Sequence, residues 1–384
     1  SVMRQPNHST STPVKRAPAR EAWSPPRVVI AWATMTLAPF ALPPVVRAFV
    51  NEDVAAVDPR FPALRRTLVE HGAAQCWHKH GTFLDHLVSV YRVLRIWGQP
   101  DAVCHVGMFH SAYSNEFVDL AIFRGQSDRG RLRELLGERA EELAYQFCIM
   151  PRRQLIEELR VLDELPETLT LSDLGVTMKL DRTAQRIFTV LTVADLADQW
   201  FEWQDEVWNG QFGLEGEIPD APGVLLWPGR LRPSSGVLAT LSRLARLIPG
   251  GDCPVPPVYD GCTRVISSDD VRRARDLYYD SFERSAKDPG AALRMLEEAT
   301  RANPFVGEPH LLIAQLKLHA GEFDQGREAA IRGLRLLCDW GTAYDKRASW
   351  ETWLSWGRVL LDCGTRRHWP KQRRGHNNFG LVRD

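Results

Sequence analysis

The stretch CWHKHGTFLDHLVSVYRVLRIWGQPDAVCHVGMFHS, Cys76–Ser111, is the most distinctive part of the sequence. The protein has 384 residues and 11 histidines, and six of these histidines lie between His71 and His110. Most of them stand among apolar residues, where an imidazole without a partner is costly to bury. The fold must therefore give these rings hydrogen-bond partners or a metal ion.

Hydrophobic periodicity within this stretch predicts two consecutive helices. Apolar residues recur between Phe83 and Trp97 at the spacing of one helix face. A second apolar helix is expected from Pro100, because proline is favoured in the first turn of a helix. His86 lies inside the first predicted helix, and His110 lies at the end of the second.

The rest of the chain is also predicted to be mainly helical, so the expected fold class is all-α. Helical periodicity extends over residues 59–208, and few segments show the alternation that is typical of strands. Residues 209–267 are rich in proline and glycine and are predicted to form a linker or insert. Residues 268–362 return to helical periodicity and are predicted to form a second helical domain.

The two ends of the chain differ in composition from its centre. Residues 1–27 are basic and rich in Ser, Thr and Pro, which predicts a disordered or targeting segment. Residues 28–58 form an apolar N-terminal segment whose prolines would interrupt a membrane-spanning helix, so no membrane span is favoured. Residues 363–384 form a basic tail.

The bulk composition argues against several kinds of partner and site. The chain has 48 Lys and Arg and 48 Asp and Glu, so its net charge is zero and does not indicate a protein that binds nucleic acid or a membrane surface. The seven cysteines show no CxxC pair, so reduced thiols are expected rather than disulfides or a cysteine zinc site. The expected location is a reducing compartment, either the cytoplasm or an organellar stroma or matrix.

Two histidines on apolar helices predict a metal site. Neutral imidazole is a common ligand for divalent transition metals, and a carboxylate is expected to offset the charge of the ion. Asp195 and Asp198 lie in the apolar stretch LTVADLADQW, where unpaired acids would be costly. The sequence therefore predicts that His86, His110 and one of these acids converge on one ion.

The ordered motifs LDHL, GMFHS and VADLAD resemble those of the HD superfamily of all-helical metalloproteins, over about residues 70–205. That family has a lone His, then His-Asp after an apolar helix, then a distant Asp, and the guanosine tetraphosphate hydrolases share this layout. The resemblance matches His86 and His110 to the two histidines and Asp195 to the final Asp. Ser111 stands where the family has its second-motif Asp, as in an uncharacterised His-Ser variant found in bacteria and plants.

Ser111 limits what the resemblance implies about the ligands. Serine is a poor metal ligand, so the family pattern supplies at most three ordinary ligands here. His105 is not expected to share an ion with His110, because five residues turn an ideal helix by about 140° beyond a full turn. His80 precedes the first predicted helix and could bend toward the site as a further ligand. The expected cofactor is a divalent transition metal, with iron, manganese and zinc left open.

Three other side chains are candidate catalytic residues. Tyr113 follows His110 closely and could donate a hydrogen bond to a substrate or a bound water. Lys79 and Arg182 could neutralise an anionic substrate. These residues, with the predicted ligands, define the expected active site for a small-molecule substrate.

The resemblance implies a metal-dependent enzyme, and hydrolysis of a small phosphorylated or otherwise anionic substrate by a metal-activated water is favoured. Two alternatives stay open. The HD superfamily includes myo-inositol oxygenase and its relatives, whose diiron site is rich in histidine, although the second-motif Asp that bridges their metals is missing here. A non-catalytic HD-like fold joined to a repeat scaffold is the other alternative.

Residues 268–362 resemble tetratricopeptide repeats. Ala292 and Gly326 lie 34 residues apart, as do Ala299 and Gly333, and 34 residues is the period of that family. Small residues at these positions would let paired helices approach closely. The resemblance implies a helical-hairpin domain that could bind a protein partner.

Overall fold

Helices form most of residues 40–199 in the computed structural model. The structure describes residues 40–78, 81–117, 121–173, 175–199, 233, 240–241, 243–248, 253–254 and 267–370. The helices before residue 200 are α1 (Pro44–Val50), α2 (Phe61–Glu70), α3 (Phe83–Ile96), α4 (Asp101–Phe109), α5 (Arg129–Leu136), α6 (Glu138–Ile149), α7 (Arg152–Val161) and α8 (Arg182–Asp198). Two antiparallel hairpins pair β1 (Trp77–His78) with β2 (Gly81–Thr82) and β3 (Thr168–Asp173) with β4 (Val176–Asp181).

A second series of helices follows residue 267. Its members are α9 (Ser268–Ser285), α10 (Pro289–Ala302), α11 (Gly307–His319), α12 (Phe323–Trp340) and α13 (Trp350–Thr365). The predicted all-α class is confirmed, since strands form only two small hairpins in the described ranges. The predictions made for 1–27, for most of 209–267 and for most of the tail 363–384 concern residues outside those ranges, and so do residues 28–39 of the predicted apolar segment.

Helix α3 lies at the centre of the first series. Its start is fixed by a capping box, in which the Thr82 side chain accepts from the Asp85 backbone and the Asp85 side chain accepts from the Thr82 backbone. Helix α4 approaches α3 closely at Gly107, because a Cβ there would lie only 2.2 Å from Leu94 Cδ1. This contact brings the histidines of the two helices into one buried layer.

A buried carboxylate, that of Asp58, connects the N-terminal segment to helices α3 and α4. Asp58 Oδ2 accepts hydrogen bonds from Tyr91 (2.8 Å), from His105 Nε2 (2.8 Å) and from Arg95 (3.0 Å). Burial alone would raise the pKa of Asp58, but the bonds from His105 and Tyr91 outweigh it and lower that pKa. The hydrophobic core therefore continues across the predicted boundary at residue 59, and α1 packs against α3.

The helices of the second series pack in chain order, with short connections between them. Their closest approach involves Gly307 of α11 and Gly333 of α12: a Cβ on Gly333 would lie 2.8 Å from the Gly307 carbonyl oxygen and 2.6 Å from Leu311 Cδ2. Glycine is required at this crossing because any side chain would push the helices apart. The close approach agrees with the small residues that the 34-residue period places here.

The two series share a buried interface at α3. Arg92 donates from Nε to the Gly341 carbonyl (2.9 Å) and from a terminal nitrogen to Glu351 (2.7 Å). Trp97 Nε1 donates to the Trp340 carbonyl (3.2 Å). Gly341 ends α12 with φ of 70°, which favours glycine. The loop 341–349, which joins α12 to α13, is thereby held against α3.

The loop 341–349 is also held from within the second series. Glu308 Oε1 accepts from the backbone N–H groups of Tyr344 (2.6 Å) and Asp345 (3.1 Å). Asp345 in turn accepts from the Tyr278 hydroxyl (2.7 Å). Burial raises the pKa of Glu308 to about 7, although the backbone hydrogen bonds oppose this. The loop therefore has a defined position rather than a free one.

Two general properties of the described residues complete the fold. None of the six cysteines within the described ranges forms a disulfide. None of the helices in those ranges has the length and apolar content that crossing a bilayer requires.

Glu308→Gln should change how stability depends on pH. The pKa of Glu308, about 7 when folded against an ordinary 4.5, means that its stabilising contribution is complete below about pH 4.5 and is lost as the pH rises through about 7. Glutamine keeps the accepting oxygen but cannot ionise. From about pH 5 to about pH 8 we expect the parent to lose on the order of 3 kcal/mol relative to the variant.

Urea unfolding of both proteins at the two pH values measures this difference. The same pH dependence in parent and variant would show that Glu308 is not the group that titrates.

Candidate metal centre

Two buried histidines meet where α3 crosses the end of α4. The Nε2 atoms of His86 and His110 are 3.3 Å apart. Asp195, from the last turns of α8, places its Oδ1 at 3.2 Å from His86 Nε2 and 3.7 Å from His110 Nε2. All three residues are buried. The three side chains predicted from the HD-like motifs thus converge on one point.

The spacing of these donor atoms suits a single metal ion. Two donors about 2.1 Å from an ion and separated by a tetrahedral angle lie about 3.4 Å from each other. The three observed separations, 3.2, 3.3 and 3.7 Å, bracket this value. The group His86, His110 and Asp195 could therefore hold a metal ion.

The outer nitrogens of both histidines have protein partners. His86 Nδ1 donates to Asp198 Oδ2 (2.9 Å), and His110 Nδ1 donates to the Gly107 carbonyl (2.7 Å). These bonds fix the rings and the tautomers, so that both Nε2 lone pairs face Asp195. Asp195 and Asp198, which the sequence offered as alternatives, therefore both contact His86, from opposite sides of its ring.

Two further residues at this centre were not predicted from the sequence. Arg152, the first residue of α7, donates to Asp195 Oδ2 (2.5 Å). Gln199, directly after α8, donates from Nε2 to Asp195 Oδ1 (2.7 Å) and lies 2.9 Å from His86 Nε2. Rotating this amide by half a turn would present its oxygen to a cation instead. Its place directly after the VADLAD motif was the one local feature from which Gln199 could have been predicted as a site residue.

The charges around the centre shift the pKa values of its groups in opposite directions. Burial lowers the pKa of His86, but its bonds to Asp195 and Asp198 outweigh burial and raise that pKa to about 9. Burial lowers the pKa of His110 to about 4, with the positive charges of His86 and Arg152 adding to the effect. The His86 imidazole thus carries a second ring proton at neutral pH, and a bound metal ion would replace that proton.

Ser111 is buried beside His110, but its side chain is engaged elsewhere. Its hydroxyl oxygen accepts from Asn115 Nδ2 (2.8 Å), which ties the turn after α4 together. Ser111 therefore forms part of a compact hydrogen-bonded turn and adds no carboxylate charge beside His110.

Several sequence-predicted residues do not join the three donors. The hydroxyl of Tyr113 donates to Glu141 (2.9 Å), in a separate buried cluster. Arg182 starts α8 and pairs with Glu167 at 3.5 Å; thirteen residues of helix place it about 20 Å along the axis from Asp195. Neither residue is therefore positioned to act at the metal centre. Lys79 and His80 lie outside the described residues.

Other histidines of the stretch have structural partners. His105 bonds to Asp58, as the angle argument against its sharing an ion with His110 anticipated. The His71 ring packs on Phe123 at 4.9 Å between centroids. The His78 ring lies 4.9 Å from that of His86 and so forms part of the wall around it.

Comparisons with known proteins cover only part of the chain. Residues 67–152 match a family model described as a domain of unknown function (DUF6817). This range, under a quarter of the 384 residues, contains His86, His110 and Arg152 and ends before Asp195. No significant match to a curated protein or to a solved structure was found.

His110→Ala should abolish specific metal binding, because it removes one of the three donors and the one whose ring is already neutral. His105→Ala is the matched control: it removes a buried histidine from the same helix but leaves the three donors in place. We expect the control to lose stability and to keep its bound metal. Elemental analysis after equilibration with Zn²⁺, on protein purified without a histidine tag, measures both. Equal metal content in the two variants would contradict this assignment.

Proposed function

We propose that the protein is a metal-dependent hydrolase of HD type, which acts on a small phosphorylated or otherwise anionic substrate. The observation that carries the proposal is the convergence of His86 Nε2, His110 Nε2 and Asp195 Oδ1 within 3.7 Å of one another. Three protein donors are what catalytic metal sites supply when the remaining position is kept for water or substrate.

The residues of this chain hold the donors in place for that chemistry. Asp198 and the Gly107 carbonyl orient the two imidazoles, and Arg152 holds the second oxygen of Asp195. A bound divalent metal would lower the pKa of a coordinated water and so provide hydroxide at neutral pH. Gln199, next to Asp195 Oδ1, is placed to orient such a water through its amide.

Arg152 supports an anionic substrate. Its side chain is buried, and its guanidinium lies 4.4 Å from the centre of the Phe147 ring. Its Nε–H is buried without a hydrogen-bond partner among the described residues. A guanidinium suits the oxygens of phosphate or carboxylate, so this N–H would donate to a substrate oxygen admitted beside the metal. We assign to Arg152 the role that the sequence suggested for Lys79 and Arg182.

The same contacts favour one ion over two. A two-metal site needs carboxylates that bridge the ions, yet Ser111 supplies no carboxylate and Arg152 occupies the second oxygen of Asp195. The guanidinium contributes a fixed positive charge where a second ion would otherwise be expected. A diiron oxygenase is disfavoured on this ground.

A mononuclear iron oxygenase is the second candidate function. Two imidazoles and one carboxylate are also the donor set of the non-haem iron(II) oxygenases. Oxygen consumption by the iron(II)-loaded protein under reducing conditions separates this candidate from the hydrolase. The non-catalytic scaffold is the outcome if the protein takes up no metal.

We further propose that helices α9–α13 are tetratricopeptide-like and bind a protein partner. The support is the 34-residue spacing of the small residues and the close crossing that they form, with Gly333 against the Gly307 carbonyl. Repeats of this kind bury their faces against neighbours, and here α3 provides part of that cover through Arg92.

Arg152→Met should reduce hydrolysis of an anionic substrate selectively. With Zn²⁺- or Mn²⁺-loaded protein, we expect kcat/KM for p-nitrophenyl phosphate to fall at least about tenfold, since a charge-assisted hydrogen bond to the substrate is lost. The neutral ester p-nitrophenyl acetate should be affected much less. Arg153→Met is the matched control, because that neighbouring side chain is exposed and pairs with Glu116. An equal loss on both substrates, or no loss, would contradict the role of Arg152.

A further inference from the structure

A buried lysine from the second helical series reaches the metal centre. Lys346 lies in the loop 341–349, and its Nζ is 2.6 Å from Thr342 Oγ1 and 3.7 Å from Asp198 Oδ1. The side chains of Lys346 and Asp198 are 6% and 3% exposed, so water screens this pair little. Burial lowers the pKa of Lys346 to about 8, which leaves the ammonium charged at neutral pH.

Asp198 links this lysine to a metal donor. One of its oxygens, Oδ2, accepts from His86 Nδ1 at 2.9 Å, and the other, Oδ1, faces Lys346. A carboxylate behind a ligating histidine makes the imidazole a stronger donor. A cation beside that carboxylate partly neutralises the carboxylate's negative charge, so the imidazole becomes a weaker metal donor again.

The position of Lys346 is fixed by contacts from both helical series. Glu308 holds the backbone of the two residues that precede it, and Arg92 holds Gly341 at the start of the loop. The second helical series therefore delivers one charge, at a fixed place, to a centre whose donors all come from the first.

The two carboxylates at the centre each have a cationic side chain in addition to the protonated His86. Asp195 is paired with Arg152, and Asp198 is paired with Lys346, so each carboxylate has its own cation before any metal binds. A divalent ion then adds net positive charge to a buried site. Such a site holds its ion less tightly, and favours anionic ligands on it more strongly, than a site with unpaired carboxylates.

We propose that Lys346 is a positioning residue of the metal centre, which acts through Asp198 and His86 to weaken the hold on the ion and so to strengthen its action on bound water and substrate. The helical-repeat part of the chain is then a component of the site as well as a platform for partners. This inference rests on the proposed metal-dependent function.

The test is the affinity for Zn²⁺ near neutral pH, measured by competition with a chromophoric chelator. Lys346→Met removes one unit charge on the order of 10 Å from the donor atoms, so its Kd for Zn²⁺ should be lower than that of the parent. The decrease should be about fourfold for the dielectric constant of water and a few hundredfold for an effective protein dielectric constant of about 20. Lys346→Arg, which keeps the charge, should bind Zn²⁺ within about twofold of the parent. Lys346→Gln removes the charge but keeps a hydrogen-bond donor. It takes the place of Lys346→Met if the methionine variant does not fold.

Trp97→Phe is the interface control, since it removes the bond to the Trp340 carbonyl without changing any charge. It should lower the unfolding temperature and leave the Kd unchanged. A merely structural Lys346 would make its variants bind Zn²⁺ as the parent does or more weakly, and either result overturns the inference while leaving the metal site intact. A parent that binds no Zn²⁺ overturns the inference and the proposed function together.

Discussion

Two imidazole nitrogens that face each other across 3.3 Å impose the constraint on which the rest of the site depends. His86 and His110 have committed their Nδ1 atoms to Asp198 and to the Gly107 carbonyl, so both Nε2 atoms point inward. Two bare lone pairs at that distance repel each other in a buried layer, and a proton or a metal ion between them removes the repulsion. Asp195 brings negative charge to the same point, which favours a cation there. These three side chains could therefore hold a cation.

The neighbouring helices and the loop 341–349 meet this constraint by giving each carboxylate at the centre a cationic partner. Asp195 has Arg152, and Asp198 has Lys346. The same solution recurs nearby, where Asp58 is shared among Tyr91, His105 and Arg95. The structure separates two roles for histidines of this stretch: the rings of His86 and His110 could hold a cation with Asp195, and His105 donates to the buried Asp58 carboxylate.

The sequence alone predicted the parts of this arrangement that leave a local pattern. Apolar periodicity located the helices that carry His86 and His110, and the order of the motifs selected Asp195. The partners that balance charge left no such pattern, since Arg152 is 43 residues from Asp195 and Lys346 reaches Asp198 only because two helical series pack together. Of the two cationic candidates chosen from the sequence for their charge, Arg182 lies far along α8 from Asp195, and Lys79 lies outside the described residues. The HD-like and tetratricopeptide-like resemblances stay predictions, and the fold supports them at the level of its all-α class.

The central claim, that two imidazoles and one carboxylate hold a single ion, is tested most directly by X-ray absorption at the metal edge. The sample is the protein purified without a histidine tag and loaded with one equivalent of Zn²⁺. We expect nitrogen and oxygen donors at about 2.0–2.1 Å, with multiple scattering from two imidazoles and no sulfur. Sulfur scattering at about 2.3 Å, or the absence of imidazole scattering, would contradict it.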